Sequence, residues 1–393
     1  MPVYLDHNAS TPVAPSIIEV MALTMKTHFA NPSSTDHMAG AAAAKVIDKA
    51  REFIAQEIGA RPTEIVFTSG ATEANCLAIR GAFYAQKEHG RRRVVTSATE
   101  HPSVLRTVEA LVEHGAEAVV LPVDRYGRLD LEELATVITS ETALVTVMAA
   151  NNETGVLHPV AAIGELCSEL GVLFHSDLTQ LVGYAPINVQ ALGLHLASLS
   201  AHKMYGPKGV GALYARTRRP RARITPLQTG GGQERGLRSG TLNTEGIVGF
   251  GEAFHVRRDH LKNVDTLRER RDRLEAQLLA MKGVQRNGDP SARLPHTTNL
   301  SIGGIEPHAL QHALRESIVF STSSACSTDK VETSPVLVAM FGDGPRAREG
   351  FRLGLGFGTT DEDTATAGDA FEQAVERLRS GTLGRRRATN FVQ

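Results

Sequence analysis

Lys203 is the first residue of the sequence whose surroundings indicate chemistry. It follows the apolar run "LHLASLSA" and precedes the turn "MYGPKG". Desolvation beside buried surface disfavours the ammonium ion and lowers the pKa of a lysine, and such an amine can form a Schiff base with a carbonyl compound. A lysine that snorkels to the surface is an equally good interpretation of Lys203 taken alone, and it suits Lys208 better.

Two further features lie where predicted strands end, and together with Lys203 they fit one cofactor. Asp177 ends the run "VLFHSD" and could pair with the pyridine nitrogen of pyridoxal phosphate, while Gln180 could donate to the ring hydroxyl. "TSGATEAN" (68–75) is typical of a strand, a glycine turn and a helix start, where backbone N–H groups and the Thr72 hydroxyl would hold a phosphate. The stretch is neither a P-loop nor a dinucleotide fingerprint.

The sequence contains three cysteines, and one of them lies in a polar segment. Cys76 and Cys167 fall in amphipathic helical patterns, where cysteine usually packs as a small buried hydrophobe. Cys326 lies in "STSSACSTDKVETSP" (321–335), which offers little to bury it. We therefore predict that Cys326 is an accessible thiol that can act as a nucleophile; an incidental loop cysteine is the alternative.

Composition argues against several classes of protein. The formal net charge of -1 does not suit a chain that coats nucleic acid or an anionic membrane. The sequence has neither a secretory signal pattern nor an apolar run long enough to span a bilayer. Its cysteine spacing makes no zinc pattern, so no metal site is predicted. Three cysteines, which cannot all pair, suit a soluble protein of the reducing cytoplasm.

Short apolar runs alternate with amphipathic patterns from about residue 64 to residue 216, which predicts an α/β fold with a mainly parallel, seven-stranded sheet. The tight "MYGPKG" connection before the last strand predicts one antiparallel neighbour. Polar residues collect at the carboxyl ends of these runs, where open α/β sheets bind ligands. A long helical stretch, 243–281, then leads to a smaller C-terminal α/β domain with predicted strands "TTNLSIGG" and "FRLGLGF".

This pattern divides the chain into two predicted domains and a tail. Residues 15–260 are predicted to form a large cofactor-binding domain. Residues 1–14 and 261–380 are predicted to form the small domain, which carries the Cys326 loop. Residues 381–393 show no periodicity and are predicted to be a flexible tail.

Several motifs together resemble the group I cysteine desulfurases of the NifS/IscS type, which are fold-type I pyridoxal-phosphate enzymes. They keep the order and approximate spacing of that family over nearly the whole chain. The motifs are "YLDHNASTP", "NPSSTDHMAG", "FTSGATEANCLAI", "TEHPSV", "NNETGVLHPV", "FHSDLTQLVG", "SAHKMYGPKGVGALY", "GGGQERGLRSGT" and "SSACS". The resemblance implies that L-cysteine is converted to L-alanine while its sulfur passes to Cys326 as a persulfide, for delivery to an acceptor protein.

The resemblance also implies a role for each matching residue. Lys203 matches the lysine that binds the cofactor covalently, and His101 matches the histidine that stacks on the cofactor ring and helps in proton transfer. Arg352 matches the arginine that binds the substrate carboxylate, and Asn152 the asparagine near substrate and cofactor. The remaining cofactor contacts are Ala71, Thr72, Asp177, Gln180, Ser200, His202 and Thr241. Thr241 matches a residue that reaches the other subunit's cofactor phosphate, which implies a homodimer with shared sites.

The chain departs from the family pattern at three places. Leu178 and Ala201 replace a smaller residue and a glycine, so we expect altered packing with intact chemistry. "VFSTSSAC" lacks the glycine that commonly precedes the cysteine. We expect this loss to stiffen or re-route the loop and to leave Cys326 far from Lys203 until a substrate or acceptor brings it in.

Alternatives remain open at this point. An aminotransferase or a selenocysteine lyase would use the same cofactor residues, and a non-catalytic assembly partner would keep the fold alone. The resemblance is compatible with three pathways that could accept the sulfur. They are iron–sulfur cluster assembly, tRNA thiolation, and DNA phosphorothioation of the DndA-like type. The basic stretch "ARTRRPRARI" (215–224) could contact an acidic partner or could be a solvated loop, and direct nucleic-acid binding is not needed.

Overall fold

The computed structural model describes residues 2–322, 325–327 and 330–381; for 325–327 and 330–332 it describes the backbone alone. The strands in chain order are β1 (Val3–Tyr4), β2 (Ile65–Thr68), β3 (Arg93–Ser97), β4 (Glu117–Leu121), β5 (Thr142–Thr146), β6 (Leu173–Asp177), β7 (Leu196–Ser200), β8 (Gly211–Ala215), β9 (Val284–Asn287), β10 (Thr297–Ile302), β11 (Ile318–Val319), β12 (Ser321–Thr322), β13 (Ala325–Ser327), β14 (Lys330–Glu332) and β15 (Gly350–Gly354). The helices are α1 (Pro15–Thr27), α2 (Met38–Glu57), α3 (Ala71–Lys87), α4 (Pro102–Val112), α5 (Leu131–Val137), α6 (Val160–Glu169), α7 (Thr244–Leu261), α8 (Val264–Ala280), α9 (Pro307–Leu314), α10 (Pro335–Phe341), α11 (Pro345–Arg348) and α12 (Asp361–Arg379).

The large sheet has seven strands in the order β2-β8-β7-β6-β5-β3-β4. Five of them, β3 to β7, run parallel to one another, while β8 is antiparallel to both of its neighbours, β2 and β7. The predicted α/β fold with a mainly parallel, seven-stranded sheet is therefore confirmed. Because parallel strands end at one edge, this sheet brings residues from distant parts of the sequence together at their carboxyl ends.

Apolar side chains cover both faces of this sheet. In β2 the side chain of Phe67 belongs to the apolar cluster that contains Phe250 of α7. The preceding residue, Val66, belongs to a different cluster, which contains Leu77 of α3. Since successive strand residues point to opposite faces, α3 and α4 cover one side of the sheet and α1, α2, α6 and α7 cover the other.

A second, antiparallel sheet has the order β12-β15-β10-β9 and its own apolar core. That core includes Leu274 of α8, Leu310 of α9 and Phe371 of α12. The amino-terminal strand β1 pairs in parallel with β11, so the start of the chain lies beside this second sheet. The predicted division into domains at residues 14 and 260 stays a prediction.

The long helical stretch predicted over 243–281 is two helices rather than one. Asn263, between α7 and α8, has φ of -113° and ψ of 14°, which lies outside the helical region. The Asn263 side chain donates to the carbonyl oxygen of Asp259 at 3.1 Å. This side-chain hydrogen bond to the last turn of α7 stabilises the end of that helix. The change of direction lets α8 pack with the second sheet.

Cys326 lies in the short hairpin of β13 and β14, where its backbone is opposite Val331. The predictions about the reach of its thiol, and about the tail beyond Gly381, lie outside the described residues. Within the described ranges no helix is both long and apolar enough to cross a bilayer. The same ranges hold no cluster of three or more histidine, cysteine or acidic side chains that could bind a metal.

Glu275 joins α8 to the second sheet through a buried ionic network. The side chain is 2% exposed and accepts hydrogen bonds from Arg286 at 2.8 Å, from Thr298 at 2.5 Å and from Arg293. Burial by itself would raise the pKa of Glu275, but these hydrogen bonds outweigh it and lower the pKa to about 2. Glu275 is therefore ionised throughout the physiological range and compensates two cations, the buried Arg293 and the partly buried Arg286.

We expect Glu275→Gln to destabilise the folded protein by about 3 kcal/mol, because it removes the counter-charge of Arg286 and the nearer of the two carboxylates beside the buried Arg293. The folded-state pKa is depressed below the ordinary value of 4.5, so this contribution is fully present above about pH 4.5 and is lost as the pH falls toward 2. Thermal unfolding at pH 7 and at about pH 2.5 measures both effects. Glu269→Gln, at an exposed position on α8, is the control. Equal losses at the two pH values would contradict the prediction.

Candidate active site

A cavity of about 490 Å³ lies at the carboxyl ends of the strands of the large sheet. Its walls include ten of the twelve residues to which the sequence assigned a role. They are Ala71, Thr72, His101, Asn152, Asp177, Gln180, Ser200, His202, Lys203 and Arg352. Arg352 comes from the second sheet and the others come from or follow the large sheet and its helices, so the two sheets build the cavity together.

Lys203 ends the short 3₁₀ turn Ala201–Lys203 that follows β7. Its Nζ donates to the carbonyl oxygens of Asn8 at 2.5 Å and of Ala9 at 2.7 Å. Burial, and then the positive charge of Arg352, lower the pKa of Lys203 to about 8, although nearby carboxylates oppose the shift. The amine can therefore lose its proton close to neutral pH, which a nucleophilic or basic lysine requires.

Asp177 ends β6 and is 6% exposed. Its Oδ2 accepts from Asn75 Nδ2 at 2.7 Å, and its Oδ1 accepts from the backbone N–H of Thr179 at 2.9 Å. A carboxylate offers about four acceptor positions, so two protein donors leave room for a further N–H donor from the cavity. Asp177 can therefore bind a protonated ring nitrogen.

Gln180 is fixed from the amino-terminal segment. Its Nε2 donates to the carbonyl oxygen of Asn8 at 3.0 Å, and Asn8 Nδ2 donates to Gln180 Oε1 at 3.3 Å and to Thr297 Oγ1 at 2.8 Å. Asn8 is 1% exposed, and its carbonyl oxygen also accepts from Lys203. One asparagine therefore sets the positions of two predicted cofactor residues relative to each other.

The amino-terminal end of α3 forms one end of the cavity. Gly70 precedes the helix with φ of 153°, a conformation that side chains rarely allow. A Cβ at Gly211 of the adjacent β8 would lie 2.7 Å from the Gly70 Cα, so the two backbones approach closely. The backbone N–H groups of Ala71 and Thr72 have no acceptor within the helix, because the first turn leaves its donors unpaired. Such a helix start is an anion site.

Two further predicted phosphate contacts, Ser200 and His202, line the same cavity. Burial, and then the charges of Lys203 and Lys208, lower the pKa of His202 to about 4. His202 is therefore neutral at pH 7 and can take part in hydrogen bonds without adding charge.

His101 is the N-cap residue of α4. Its Nδ1 accepts from the backbone N–H of Ser103 at 3.1 Å, which satisfies one of the unpaired donors of the helix start. Burial lowers the pKa of His101, Asp177 opposes this shift and Lys203 adds to it. The ring is therefore neutral at pH 7.

Arg352 lies on β15 and is held from two sides. Its Nη2 donates to Asp6 Oδ1 at 2.6 Å and to Ser321 Oγ at 3.0 Å, and its Nη1 donates to the carbonyl oxygen of Asn152 at 2.9 Å. Its Nε is buried and has no hydrogen-bond partner among the described residues. These hydrogen bonds fix the guanidinium in place. Some of its N–H groups make no hydrogen bond to the described residues and remain available to a ligand.

One predicted site residue, Thr241, is not brought into the cavity, and the side chain of another, Cys326, lies outside the described part of the chain. Thr241 is exposed in the connection between β8 and α7 and does not line the cavity. Cys326 is placed by its backbone alone, in β13. Of the other cysteines, Cys167 is fully buried, which raises the pKa of its thiol to about 12, and Cys76 is half-buried with Sγ 3.2 Å from Thr107 Oγ1.

Three positioning residues were not assigned a role from the sequence. Asp6 and Asn8 lie in the motif "YLDHNASTP", and Asn75 lies three residues after Thr72 on α3. The density of polar residues in a segment that precedes a helix was the available signal for Asp6 and Asn8. Nothing in the local pattern shows that Asn75, on a mostly apolar helix face, reaches Asp177.

The chain is similar to a family model, to curated proteins and to solved structures. A model of the family described as "Aminotransferase class-V" matches residues 3–365. The "Cysteine desulfurase IscS" of Methylococcus capsulatus is 44% identical over 382 residues, which cover 96% of this chain and 94% of that protein. A solved structure of a "NifS-like protein" matches with a TM-score of 0.88 at 34% identity, covering 96% of this chain and 100% of that one. The structure of DndA from Streptomyces lividans matches with a TM-score of 0.77 at 34% identity, covering 89% and 99%.

We expect Lys203 in the protein without cofactor to react with an amine-directed acylating reagent with a half-maximal rate near pH 8, because only the uncharged amine is nucleophilic and its pKa is lowered to about 8. Peptide mass spectrometry across a pH series measures the rate, and the exposed Lys45 gives an internal comparison. Arg352→Met removes a positive charge and should move the Lys203 midpoint to higher pH. A midpoint for Lys203 near its ordinary value of 10.5 would contradict the prediction.

Proposed function

Because this chain belongs to the aminotransferase class-V family, we propose that it is a pyridoxal-phosphate-dependent cysteine desulfurase. It converts L-cysteine to L-alanine and passes the sulfur to Cys326 as a persulfide, from which an acceptor protein takes it. The observation that carries this proposal is the meeting of Lys203, Asp177 and Arg352 in one cavity. An amine, a carboxylate and a guanidinium match the aldehyde of the cofactor, its ring nitrogen and the carboxylate of an amino acid.

The residues present fit the cofactor. The unpaired N–H groups at the start of α3, with Thr72, Ser200 and His202 beside them, suit its phosphate. Asp177 keeps free acceptor positions for the ring nitrogen, and Gln180 is fixed where it can donate to the ring hydroxyl. When bound, pyridoxal phosphate supplies an electron sink for the bonds broken at the amino acid.

Lys203 is the residue that moves protons. Its Nζ has a pKa lowered to about 8, so the amine can give up a proton and take one back near neutral pH. The carbonyl oxygens of Asn8 and Ala9 hold this nitrogen on one side, which limits the directions in which it can deliver a proton. We infer that Nζ transfers protons between the carbon atoms of the bound substrate.

Arg352 binds the carboxylate of L-cysteine. Asp6 and Ser321 fix its Nη2, so the guanidinium does not need to be ordered when the substrate arrives. Within the described part of the chain, Arg352 Nη1 makes one hydrogen bond and keeps a second N–H group, and this group and the side chain of Asn152 in the same wall are the donors left for the substrate. Asp6 also balances the charge of Arg352, so the cavity binds one carboxylate without a large excess of positive charge.

Cys326 is the nucleophile toward the substrate sulfur. A sulfur–sulfur bond forms between Cys326 and the substrate, the carbon–sulfur bond of the substrate breaks, and the substrate carbon takes up a proton to give alanine. Neither other cysteine suits this step, since Cys167 is fully buried and Cys76 is half-buried on α3. A reducing cytoplasm, where we place the reaction, keeps the Cys326 thiol free.

We also propose a homodimer in which each subunit completes the site of the other. Thr241 lies outside the cavity of its own chain, which is consistent with contact to the cofactor phosphate of a partner subunit. Large apolar side chains are exposed on α1, just after it and at the start of α2, including Phe29 at 81% and Met38 at 91%. Exposed apolar patches of this kind mark surfaces that another protein covers.

We expect Cys326→Ser to abolish sulfur transfer and alanine release from L-cysteine while leaving cofactor affinity unchanged, because a serine hydroxyl does not accept sulfur. Alanine and sulfide assays, together with the absorbance of the bound cofactor, measure the two properties separately. Cys76→Ser is the matched control and should retain activity. Alanine release by Cys326→Ser at the rate of the unmodified protein would refute the assignment. Trapping the mixed disulfide of the persulfide-loaded protein would then identify the acceptor.

If the sites are shared, an inactive variant and a variant with weak cofactor binding should complement each other. Lys203→Ala removes the amine, and Thr241→Val should weaken cofactor binding about tenfold or more, because it removes a hydrogen bond to a charged phosphate. Mixing the two should restore one intact site per heterodimer, since one subunit supplies Lys203 and the other supplies Thr241. Cofactor titration and alanine release measure the recovery. No recovery in mixtures shown to contain heterodimers would contradict the shared site.

A further inference from the structure

His101 and Asp177 are linked by a chain of hydrogen bonds through two side chains, Asn75 and Ser103. Asn75 Nδ2 donates to Asp177 Oδ2 at 2.7 Å and to Ser103 Oγ at 2.9 Å. Ser103 Oγ lies 2.8 Å from His101 Nδ1. Asn75 is completely buried, so this chain lies beneath the wall of the cavity.

Chemistry fixes the direction of each bond in the chain. An ionised Asp177 cannot donate, so Asn75 must present its amide nitrogen, and the same nitrogen faces Ser103. The Ser103 hydroxyl oxygen therefore accepts from Asn75, and its own hydrogen remains for His101 Nδ1. The backbone N–H of Ser103 is directed at that same ring atom at 3.1 Å. His101 Nδ1 thus receives two donors from one residue.

Two donors directed at Nδ1 require a lone pair on that atom. A neutral imidazole with a lone pair on Nδ1 carries its proton on Nε2. The opposite tautomer would place an Nδ1–H group against the backbone N–H of Ser103. His101 lines the cavity, and its Nε2 has no hydrogen-bond partner among the described residues, so this is the ring atom left for a ligand.

We propose that Ser103 is a positioning residue that holds His101 as the Nε2–H tautomer, so that His101 meets the substrate and cofactor as a hydrogen-bond donor at Nε2. This inference rests on the proposed function, since it names the atom and the proton with which His101 serves that reaction. The backbone N–H of Ser103 would remain in any residue at this position except proline. The hydroxyl, with its direction set by Asn75, is the part that the serine side chain adds.

Nitrogen NMR of histidine-labelled protein without cofactor tests this inference, because the two ring nitrogens of a histidine have different chemical shifts in the two tautomers. The chain has 15 histidines, so the His101 signals are identified by their loss in His101→Gln. The expected result is protonation at Nε2 in the unmodified protein. Ser103→Ala should shift the tautomer ratio of His101 about fivefold toward Nδ1–H, the factor that corresponds to one hydrogen bond of roughly 1 kcal/mol.

Two controls separate this effect from a general loss of structure. Ser103→Thr keeps the hydroxyl and should restore the tautomer ratio of the unmodified protein. Ser168→Ala, at an exposed position on α6, should leave the His101 signals unchanged. Protonation at Nδ1 in the unmodified protein would overturn the inference, whether or not the variants fold, and so would identical His101 signals in the unmodified protein and a folded Ser103→Ala.

The measurement is independent of desulfuration. Alanine release from L-cysteine by the unmodified, cofactor-loaded protein tests the proposed function by itself. A protein that shows the Nε2–H tautomer and its Ser103 dependence, but releases no alanine, would overturn the proposed function and leave the assignment of Ser103 intact. If alanine is released, Ser103→Ala should lower kcat more than it raises KM, because Ser103 acts through the His101 ring and is not among the residues that line the cavity.

Discussion

The two hydrogen bonds from Lys203 Nζ to the carbonyl oxygens of Asn8 and Ala9 are the contact on which the cavity depends. They attach the amino-terminal segment to the carboxyl edge of the large sheet. The same segment pairs with the second sheet through β1 and through the ion pair of Asp6 with Arg352. The Lys203 amine, the Gln180 amide and the Arg352 guanidinium therefore share one reference, a few residues of the amino-terminal segment, although they come from different parts of the fold.

The histidines in the cavity wall add no charge to it, because they are neutral. Burial lowers the pKa of His101, and burial with neighbouring lysines lowers that of His202 to about 4. His175, beneath Asp177, has its pKa lowered to about 4 by burial and lies between the hydroxyls of Thr146 and Ser198. Few charges in a poorly solvated site interact more strongly than the same charges in water. Among the described residues, the charged side chains of the cavity wall are thus Lys203, Asp177 and Arg352, together with Lys208 and with Glu73, which pairs with Arg238.

The fold and the cofactor wall could be predicted from the sequence because their signals are local. Apolar runs that alternate with amphipathic patterns predicted the seven strands. Polar residues at the ends of these runs indicated the sheet edge where Asp177 and Lys203 line one cavity. The break between α7 and α8 could not be predicted, since Asn263 interrupts a continuous charged and apolar pattern. Nor could the role of Asn8, which depends on contacts with residues 172 and 289 positions away. The spacing of apolar residues along the chain shows which face of a helix or strand is buried. It does not show which distant side chain contacts that face.

The ion pair between Asp6 and Arg352 joins residues that are 346 positions apart. Contacts of such long range form late in folding, because the entropy of closing a long loop must be overcome before they stabilise anything. During synthesis the large sheet and Lys203 emerge well before β15, so for most of translation the amino-terminal segment has no arginine to pair with. The large sheet can fold while the chain is still growing, but the part of the cavity wall that Arg352 supplies is added only after the ribosome has made β15.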